Sequence, residues 1–217
     1  AGLTGVFAAY GPEVKIVNII CTSKADSVAE EDHQKKPSAI SSISKYDNIF
    51  PFGVELNKKY TFENFVAGDC NKLPFNVAKI FCENSQKDNF IYSQGNPLFF
   101  YGSVGLGKTH LAQAIAWHIK DNDKNNKILY LSAERFMYQF VKSLQKKDIM
   151  DFKNIFRSID TLIIDDLQFI AGKNGTQEEL LCTISGLIEN NKKIILLCDK
   201  HPDNIPNIGQ KLKSIIS

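Results

Sequence analysis

The sequence predicts an α/β fold in which helices cover both faces of a parallel β-sheet. Short apolar runs with the composition of buried strands alternate along the chain with longer segments whose apolar residues recur at helical spacing. One such run, 98–101, leads directly into a glycine-rich loop at 102–109. Because parallel strands need a crossover segment between them, this alternation favours a parallel sheet.

Composition excludes several classes of protein. Apolar residues make up 43% of the 217 residues, and the net charge of +2 is too small to indicate nucleic-acid binding by itself. The five cysteines form no C-x-x-C pair. They indicate a reducing, cytoplasmic location without a disulfide framework or a zinc site. No apolar run approaches the roughly 20 residues that span a bilayer.

The first 54 residues differ in composition from the rest. Residues 1–20 contain one alternating run at 14–20, and we expect a remnant of an N-terminal domain because a lone strand is not stable. Residues 21–54 are rich in Ser, Lys, Asp and Glu, which predicts a flexible linker. The chain begins at Ala1 rather than Met, so we expect a fragment or a processed chain.

Residues 55–217 are expected to form the α/β domain. Buried strands are predicted at 98–101, 128–131, 161–164 and 194–197. Helices are predicted through Leu73, Val77, Ile80 and Phe81, and then at 111–119, 134–145, 152–156 and 176–190.

The loop at 102–109 matches G-x-x-x-x-G-K-[ST], the pattern of a phosphate-binding loop. Glycines allow backbone N–H groups to approach phosphate oxygens, and the following helix adds the partial positive charge of its N-terminus. Lys108 is expected to reach the β- and γ-phosphates, and the Thr109 hydroxyl to bind Mg²⁺. The alternative is a structural turn, but the strand before the loop and the helix after it favour a site for a nucleoside triphosphate. The expected contacts in this stretch are Gly102, Val104, Gly105, Leu106, Gly107, Lys108, Thr109 and His110.

Three acidic residues follow predicted strands. Asp165 and Asp166 end the 161–164 run, and carboxyl ends of strands are where open α/β sheets bind ligands. We assign Asp165 to magnesium and Asp166 to the hydrolytic water, although such acids also cap helices. Asp199 follows the 194–197 run. If that strand lies between the other two, its end faces the γ-phosphate and Asp199 can sense that phosphate; the alternative is that Asp199 caps the turn at 199–202.

Four segments together resemble one family. Residues 56–65, 96–111, 163–169 and 172–179 are similar to the AAA+ domain of the DnaA family of bacterial chromosomal replication initiators. The resemblance covers about residues 55–214 and implies a P-loop AAA+ three-layer sandwich with a parallel sheet. It also implies an ATP-driven switch: ATP-bound subunits assemble at the origin and melt DNA, and slow hydrolysis resets them. ATP then acts mainly as a conformational ligand.

The resemblance assigns further residues. Phe65 and Val66 fall in a segment that covers adenine, although the same aromatic cluster is also typical of a hydrophobic staple for the next helix. Val141 and Lys173 fall where the family contacts single-stranded DNA. The spacing of Val141 with Phe136 and Phe140 alone favours a core position, and Lys173 alone is an ordinary loop lysine.

The C-terminal stretch departs from the family pattern. Ile215 stands where the family has its arginine finger, and an aliphatic side chain cannot stabilise charge on a transferring phosphoryl group. We therefore expect weak ATP hydrolysis at most. The sequence ends before the family's last strand, helical lid and duplex-reading domain. The expected partners are origin DNA, further copies of the chain, a replicative helicase through the N-terminal domain, and acidic membrane lipids in the full-length family.

Three alternatives remain open on the sequence. The first is an AAA+ helicase loader or regulatory homologue that acts by protein interaction. The second is a small P-loop kinase, which would commonly need a lid arginine, yet no arginine follows Arg157. The third is a decayed gene copy whose last residues are out of frame.

Overall fold

The computed structural model describes residues 53–83 and 96–217, together with the backbone of Asn18–Cys21. Most of the predicted N-terminal remnant and of the predicted linker therefore lies outside the described residues. No helix in the described ranges is both long and apolar enough to cross a bilayer.

A parallel sheet forms the centre of the fold. Its strands are β1 (Asn18–Cys21), β2 (Leu98–Gly102), β3 (Ile128–Ser132), β4 (Thr161–Asp165) and β5 (Lys193–Cys198). They lie in the order β1-β2-β5-β4-β3, and every pairing is parallel. The four predicted core strands are confirmed, and β5 lies between β2 and β4, as the assignment of Asp199 required.

Within the described residues, five helices lie between successive strands and a sixth follows β5. They are α1 (Lys72–Glu83), α2 (Lys108–Asn122), α3 (Ala133–Lys146), α4 (Ile149–Arg157), α5 (Asn174–Glu189) and α6 (Gln210–Ile216). Two short 3₁₀ helices, Leu167–Ile170 and Pro202–Asn204, follow β4 and β5. The predicted helices are confirmed with shifts of a few residues at their ends, the usual scatter of such boundaries.

Two separate apolar cores lie on the two faces of the sheet. Successive residues of β2 point to opposite faces, so Phe99 packs in the core beneath α3 to α6, while Phe100 packs in the core beneath α1 and α2. In β4, Leu162 packs in the same core as Phe99, and Ile163 packs in the same core as Phe100. All the strand residues at these positions are buried, which explains why the strands read as continuous apolar runs. The predicted three-layer α/β sandwich is confirmed.

Helix α3 corrects one interpretation of the sequence. The Ser132 hydroxyl accepts a hydrogen bond from the Arg135 N–H and so caps the helix one residue earlier than predicted. Phe136 and Phe140 are buried, but the Val141 side chain is 43% exposed. The interpretation of Val141 as a core residue is therefore wrong, because the helix turns it toward solvent.

Strand β1 belongs to the sheet of this domain, although its position near the start of the chain implied a separate domain. We expected the run at 14–20 to belong to a separate upstream domain, but the backbone of Asn18–Cys21 pairs with β2, with Asn18 opposite Phe99 and Cys21 opposite Gly102. Pairing at this edge satisfies backbone N–H and C=O groups that an edge strand leaves free. The domain boundary at residue 20 stays a prediction.

Candidate nucleotide-binding site

The loop between β2 and α2 has the backbone that a phosphate-binding loop needs. Gly105 and Gly107 adopt left-handed conformations, with φ of 88° and 84°, which side chains strongly disfavour. Gly107 immediately precedes the first residue of α2, Lys108. The first N–H groups of a helix have no partner within it. They therefore face the loop, where they can donate to an anion.

An aromatic cluster joins the segment before α1 to this loop. The Phe65 ring lies so close to Gly107 that a Cβ there would be 2.8 Å from Phe65 Cε2. Phe65 also stacks on Phe75 of α1 at 5.3 Å and meets the His110 ring edge-on at 5.2 Å. His110 stacks on Tyr60 at 4.8 Å. The segment therefore packs both on α1, as a staple would, and on the predicted phosphate loop.

The two residues assigned to adenine differ in exposure. Phe65 is partly buried, whereas Val66 is 86% exposed. Asn71 holds the backbone after them, because its side chain accepts from the Gly68 N–H and donates to the Val66 carbonyl. The assignment of both residues to adenine stays a prediction.

Lys108 lies over the loop. Its Nζ donates to the carbonyls of Gly102 at 2.6 Å and Ser103 at 2.9 Å. An ammonium group carries three N–H donors and no acceptor. The side chain is thus placed where it can also donate to a phosphate oxygen next to the loop.

The structure brings Thr109 and Asp165 together from distant parts of the chain. Thr109 Oγ1 donates to Asp165 Oδ2 at 2.8 Å, and the Tyr130 hydroxyl donates to the same oxygen at 3.0 Å. Asp165 is buried, and burial raises the pKa of its carboxyl group, while the hydrogen bond from Thr109 acts against that rise. Burial and the charge of Asp165 raise the pKa of Tyr130, so its hydroxyl keeps the proton that it donates.

Sequence reasoning did not identify Tyr130. It lies on β3 opposite Ile163, two residues before Asp165 on the neighbouring strand. A tyrosine within the otherwise aliphatic run 128–131 was the available signal, since a buried phenol usually finds a hydrogen-bond partner.

Asp166 and Asp199 are linked by a residue that the sequence also did not reveal. Asp166 has a φ of 57° and precedes the 3₁₀ helix Leu167–Ile170, but its side chain makes no capping hydrogen bond. Instead its Oδ1 accepts from Gln168 Nε2 at 3.0 Å, while Gln168 Oε1 accepts from the Asp199 N–H at 3.3 Å. The next turn is capped by His201, whose Nδ1 accepts from the Asp203 N–H, and not by Asp199.

The donors at this edge of the sheet fit Mg²⁺. Within the described part of the chain, no group of three or more His, Cys, Asp or Glu side chains could hold a metal by itself. Mg²⁺ is usually bound by one or two carboxylates together with phosphate oxygens and waters. The Thr109 hydroxyl and the Asp165 carboxylate are hard oxygen donors next to the loop, so they meet that requirement once a nucleotide supplies phosphates.

The two residues assigned to single-stranded DNA lie on neighbouring elements. Val141 is on the outer face of α3 with the exposed Tyr138 and Leu144, and Lys142 Nζ lies 5.8 Å from the centre of the Tyr138 ring. Lys173 immediately precedes α5 and comes three residues after the 3₁₀ helix Leu167–Ile170, which packs on α3. Their contact with DNA stays a prediction.

Ile215 contributes to packing. It lies on α6, partly buried against the core that contains Leu212 and Ile216. The side chain at the predicted finger position therefore offers an apolar contact and no charge.

The fold and the loop define a P-loop nucleotide-binding class of α/β domain. The family described as the bacterial DnaA ATPase domain matches residues 56–217. The chain belongs to this family. It is 44% identical over 214 residues to the chromosomal replication initiator protein DnaA of Rickettsia canadensis (strain McKiel), a match covering 96% of this chain and 44% of that protein. The chain thus spans less than half the length of the curated relative.

Two solved structures are similar in fold and sequence. Domain III of the Thermotoga maritima replication initiation protein DnaA superposes with a TM-score of 0.69 at 34% identity, over 75% of this chain and 65% of that chain. A replication initiator DnaA bound to AMPPCP and single-stranded DNA gives a TM-score of 0.67 at 40% identity, over 73% of this chain and 47% of that chain.

Proposed function

We propose that this chain is the nucleotide-binding core of a DNA replication initiator and that it binds ATP and ADP through the loop after β2. The observation that carries the proposal is the approach of Thr109 to Asp165, with 2.8 Å between Oγ1 and Oδ2, together with the Lys108 ammonium group over the loop carbonyls. A hydroxyl, a carboxylate and an ammonium next to left-handed glycines match the needs of a triphosphate and its magnesium ion. The related initiator bound to AMPPCP supports the same ligand.

Each part of the nucleotide has a proposed set of contacts. Backbone N–H groups of the loop and the first turn of α2 bind the α- and β-phosphates, and Lys108 binds the β- and γ-phosphates. Thr109 and Asp165 hold Mg²⁺. Phe65 and Val66 cover the adenine. The contacting stretch is Gly102, Val104, Gly105, Leu106, Gly107, Lys108, Thr109 and His110.

Hydrolysis is proposed to be slow. Asp166 orients the attacking water, and Asp199 detects the γ-phosphate at the adjacent strand end. Ile215 offers no positive charge to a neighbouring subunit's nucleotide, so the strong rate effect of an arginine finger is missing at that position. ATP then works chiefly by favouring one conformation, which requires contacts that ADP cannot make.

A single DNA strand is proposed to bind the outer face of α3. Tyr138, Val141 and Leu144 supply exposed apolar surface, and Lys142, Lys146 and Lys147 on and after the same helix supply positive charge. Aromatic and apolar contacts to bases together with lysines near phosphates are typical of binding that does not depend on sequence. Lys173 adds a charge from the neighbouring loop. The related initiator bound to single-stranded DNA supports the choice of ligand, and the exposed residues of α3 carry the choice of surface.

The remaining proposals concern the complete protein. Residues 1–20 are proposed to derive from an N-terminal domain that contacts a replicative helicase and 21–54 to form a linker, with the short segment Asn18–Cys21 pairing on the edge of this domain's sheet. The whole protein forms oligomers on origin DNA in the cytoplasm, reads duplex DNA through a further C-terminal domain, and contacts acidic membrane lipids.

Isothermal titration with AMPPCP and with ADP, both with Mg²⁺, tests the nucleotide site. The Lys108→Ala variant is expected to lose at least about tenfold in affinity, since it removes a charge-assisted contact to phosphate. Lys124→Ala changes an exposed lysine beyond the end of α2 and serves as the matched control, with affinity close to wild type. Equal affinity of wild type and Lys108→Ala would contradict the assignment of the site.

A further inference from the structure

Gln168 connects two strand ends that the proposed function treats separately. Its Nε2 donates to Asp166 Oδ1 at 3.0 Å, one residue beyond the end of β4. Its Oε1 accepts from the Asp199 N–H at 3.3 Å, one residue beyond the end of β5. A single side chain therefore bridges the acid after β4 and the backbone after β5.

The chemistry of both partners determines which way the amide points. A backbone N–H can only donate, so it requires the oxygen of the amide, and an ionised carboxylate can only accept, so it requires the NH₂ group. An amide side chain satisfies both partners at once. A glutamate could accept from Asp199 but would repel Asp166, and an apolar side chain could do neither.

The bridge lies at the edge of the sheet where the nucleotide is proposed to bind. β5 lies between β2, which carries the phosphate loop, and β4, which carries the acids. Leu98 of β2 is opposite Ile195 of β5, and Ile163 of β4 is opposite the same residue. The carboxyl ends of the three strands are therefore adjacent, and a γ-phosphate on the loop would face both strand ends that Gln168 joins.

The backbone at Asp166 adds a second constraint. Asp166 is in the left-handed region, and its N–H donates to Asp165 Oδ1 at 2.8 Å. A non-glycine residue pays an energetic penalty in this conformation and keeps it only where its surroundings hold it. Gln168 holds the Asp166 side chain, while Asp165 holds its backbone.

We propose that Gln168 is a positioning residue that sets the ATP preference of the site by holding Asp166 and the Asp199 backbone in the arrangement that meets a γ-phosphate. The inference rests on the proposed function, because it requires that the loop after β2 binds nucleotide. ADP lacks the phosphate that would face these strand ends. Loss of the bridge therefore weakens binding of ATP and leaves binding of ADP nearly unchanged.

Titration of the Gln168→Met variant with AMPPCP and with ADP tests the inference. Methionine keeps the length of the side chain and adds no charge, so a change cannot come from repulsion of the nucleotide. We expect AMPPCP affinity to fall at least about fivefold and ADP affinity to change less than about twofold. Gln168→Asn keeps an amide that is too short to reach both partners, so it is expected to behave in the same way and guards against a folding defect of the methionine variant.

The control makes the same substitution elsewhere. Gln145→Met alters an exposed glutamine near the end of α3, and both nucleotide affinities are expected to stay at the wild-type level. Equal weakening of AMPPCP and ADP by the Gln168 variants, or no change in either, would overturn the inference while leaving the nucleotide site intact. If the wild-type chain bound neither nucleotide, the proposed function would fail and the inference with it.

Discussion

Glycine is required at position 107 by both the backbone conformation and the neighbouring side chain. Its φ of 84° lies where a side chain is strained, and Phe65 occupies the space that a Cβ would need. The Phe65 ring is itself held between Phe75 and His110. The position therefore requires glycine for two independent reasons, one conformational and one steric.

Gly107→Ala is expected to destabilise the domain more than Gly105→Ala. Both glycines are left-handed, but an added Cβ at Gly105 meets no atom within 4 Å, whereas at Gly107 it lies 2.8 Å from Phe65 Cε2. A side chain in the left-handed conformation costs about 1–2 kcal/mol at either position. Crowding against Phe65 adds about 1 kcal/mol at Gly107 alone. Urea unfolding of both variants measures the difference. Equal destabilisation would show that Phe65 does not close over Gly107.

At the level of single elements, α3 presents two faces with different roles. Phe136 and Phe140 are buried against the core, and Tyr138, Val141 and Leu144 are exposed. Helical spacing alone did not separate these sets, because residues of both recur at three- and four-residue intervals. Only the orientation of α3 on the sheet decides which apolar stripe faces solvent.

Val141→Ser and Phe140→Ala are expected to separate DNA binding from stability. Val141 is on the proposed DNA face, so Val141→Ser should weaken binding of a fluorescent single-stranded oligonucleotide severalfold and change the free energy of unfolding by less than about 0.5 kcal/mol. Phe140→Ala should lower the free energy of unfolding by about 3 kcal/mol or more. Fluorescence anisotropy and urea unfolding measure the two effects. Unchanged oligonucleotide affinity in Val141→Ser would remove α3 from the DNA surface.

The loop before β4 carries an ion pair that predicts a dependence of stability on pH. Lys192 Nζ lies 2.6 Å from Asp160 Oδ1, and the Lys127 N–H donates to Oδ2 at 3.0 Å. Burial alone would raise the pKa of Asp160, but the hydrogen bonds from Lys192 and Lys127 outweigh it and lower the pKa. Because the folded pKa is the lower one, the stabilisation is present above the unfolded pKa and is lost as pH falls through the folded value.

Asp160→Asn is therefore expected to destabilise the domain at pH 7 and progressively less in acid. The side chains of the pair are about a third exposed, so the difference in the free energy of unfolding between wild type and variant should be about 0.5–1 kcal/mol at pH 7. It should shrink as pH falls below about 4, the ordinary range of an aspartate. Chemical unfolding at a series of pH values measures this difference. A difference that stays constant into acid would show that the charge of Asp160 contributes nothing.

For the molecule as a whole, the sequence predicts elements better than connections. The four predicted strands are continuous apolar runs because both faces of the sheet are covered, and that pattern is visible in the chain itself. The phosphate loop and the acids after β4 are likewise local patterns. The contacts of Tyr130 with Asp165 and of Gln168 with Asp199 are not local patterns. Each joins residues more than 30 positions apart, which the strand order brings together.

The pairing of β1 with β2 could likewise not be predicted from the sequence. An alternating run at 14–20 predicts a strand, but nothing in its residues states which strand it will join. The structure places Asn18–Cys21 beside β2. The position in the sheet depends on which edge is free, a property of the folded domain and not of the segment.

Hydrogen–deuterium exchange with and without Mg²⁺ and AMPPCP tests whether the loop after β2 binds the phosphates, because it locates the bound nucleotide on the chain. If the loop after β2 binds the phosphates, the backbone N–H groups of 104–110 donate to them, and exchange in that stretch should slow markedly when the nucleotide is added. Gly105 and Gly107 lie within it. Nucleotide binding that left exchange at 104–110 unchanged, with protection elsewhere, would contradict the account.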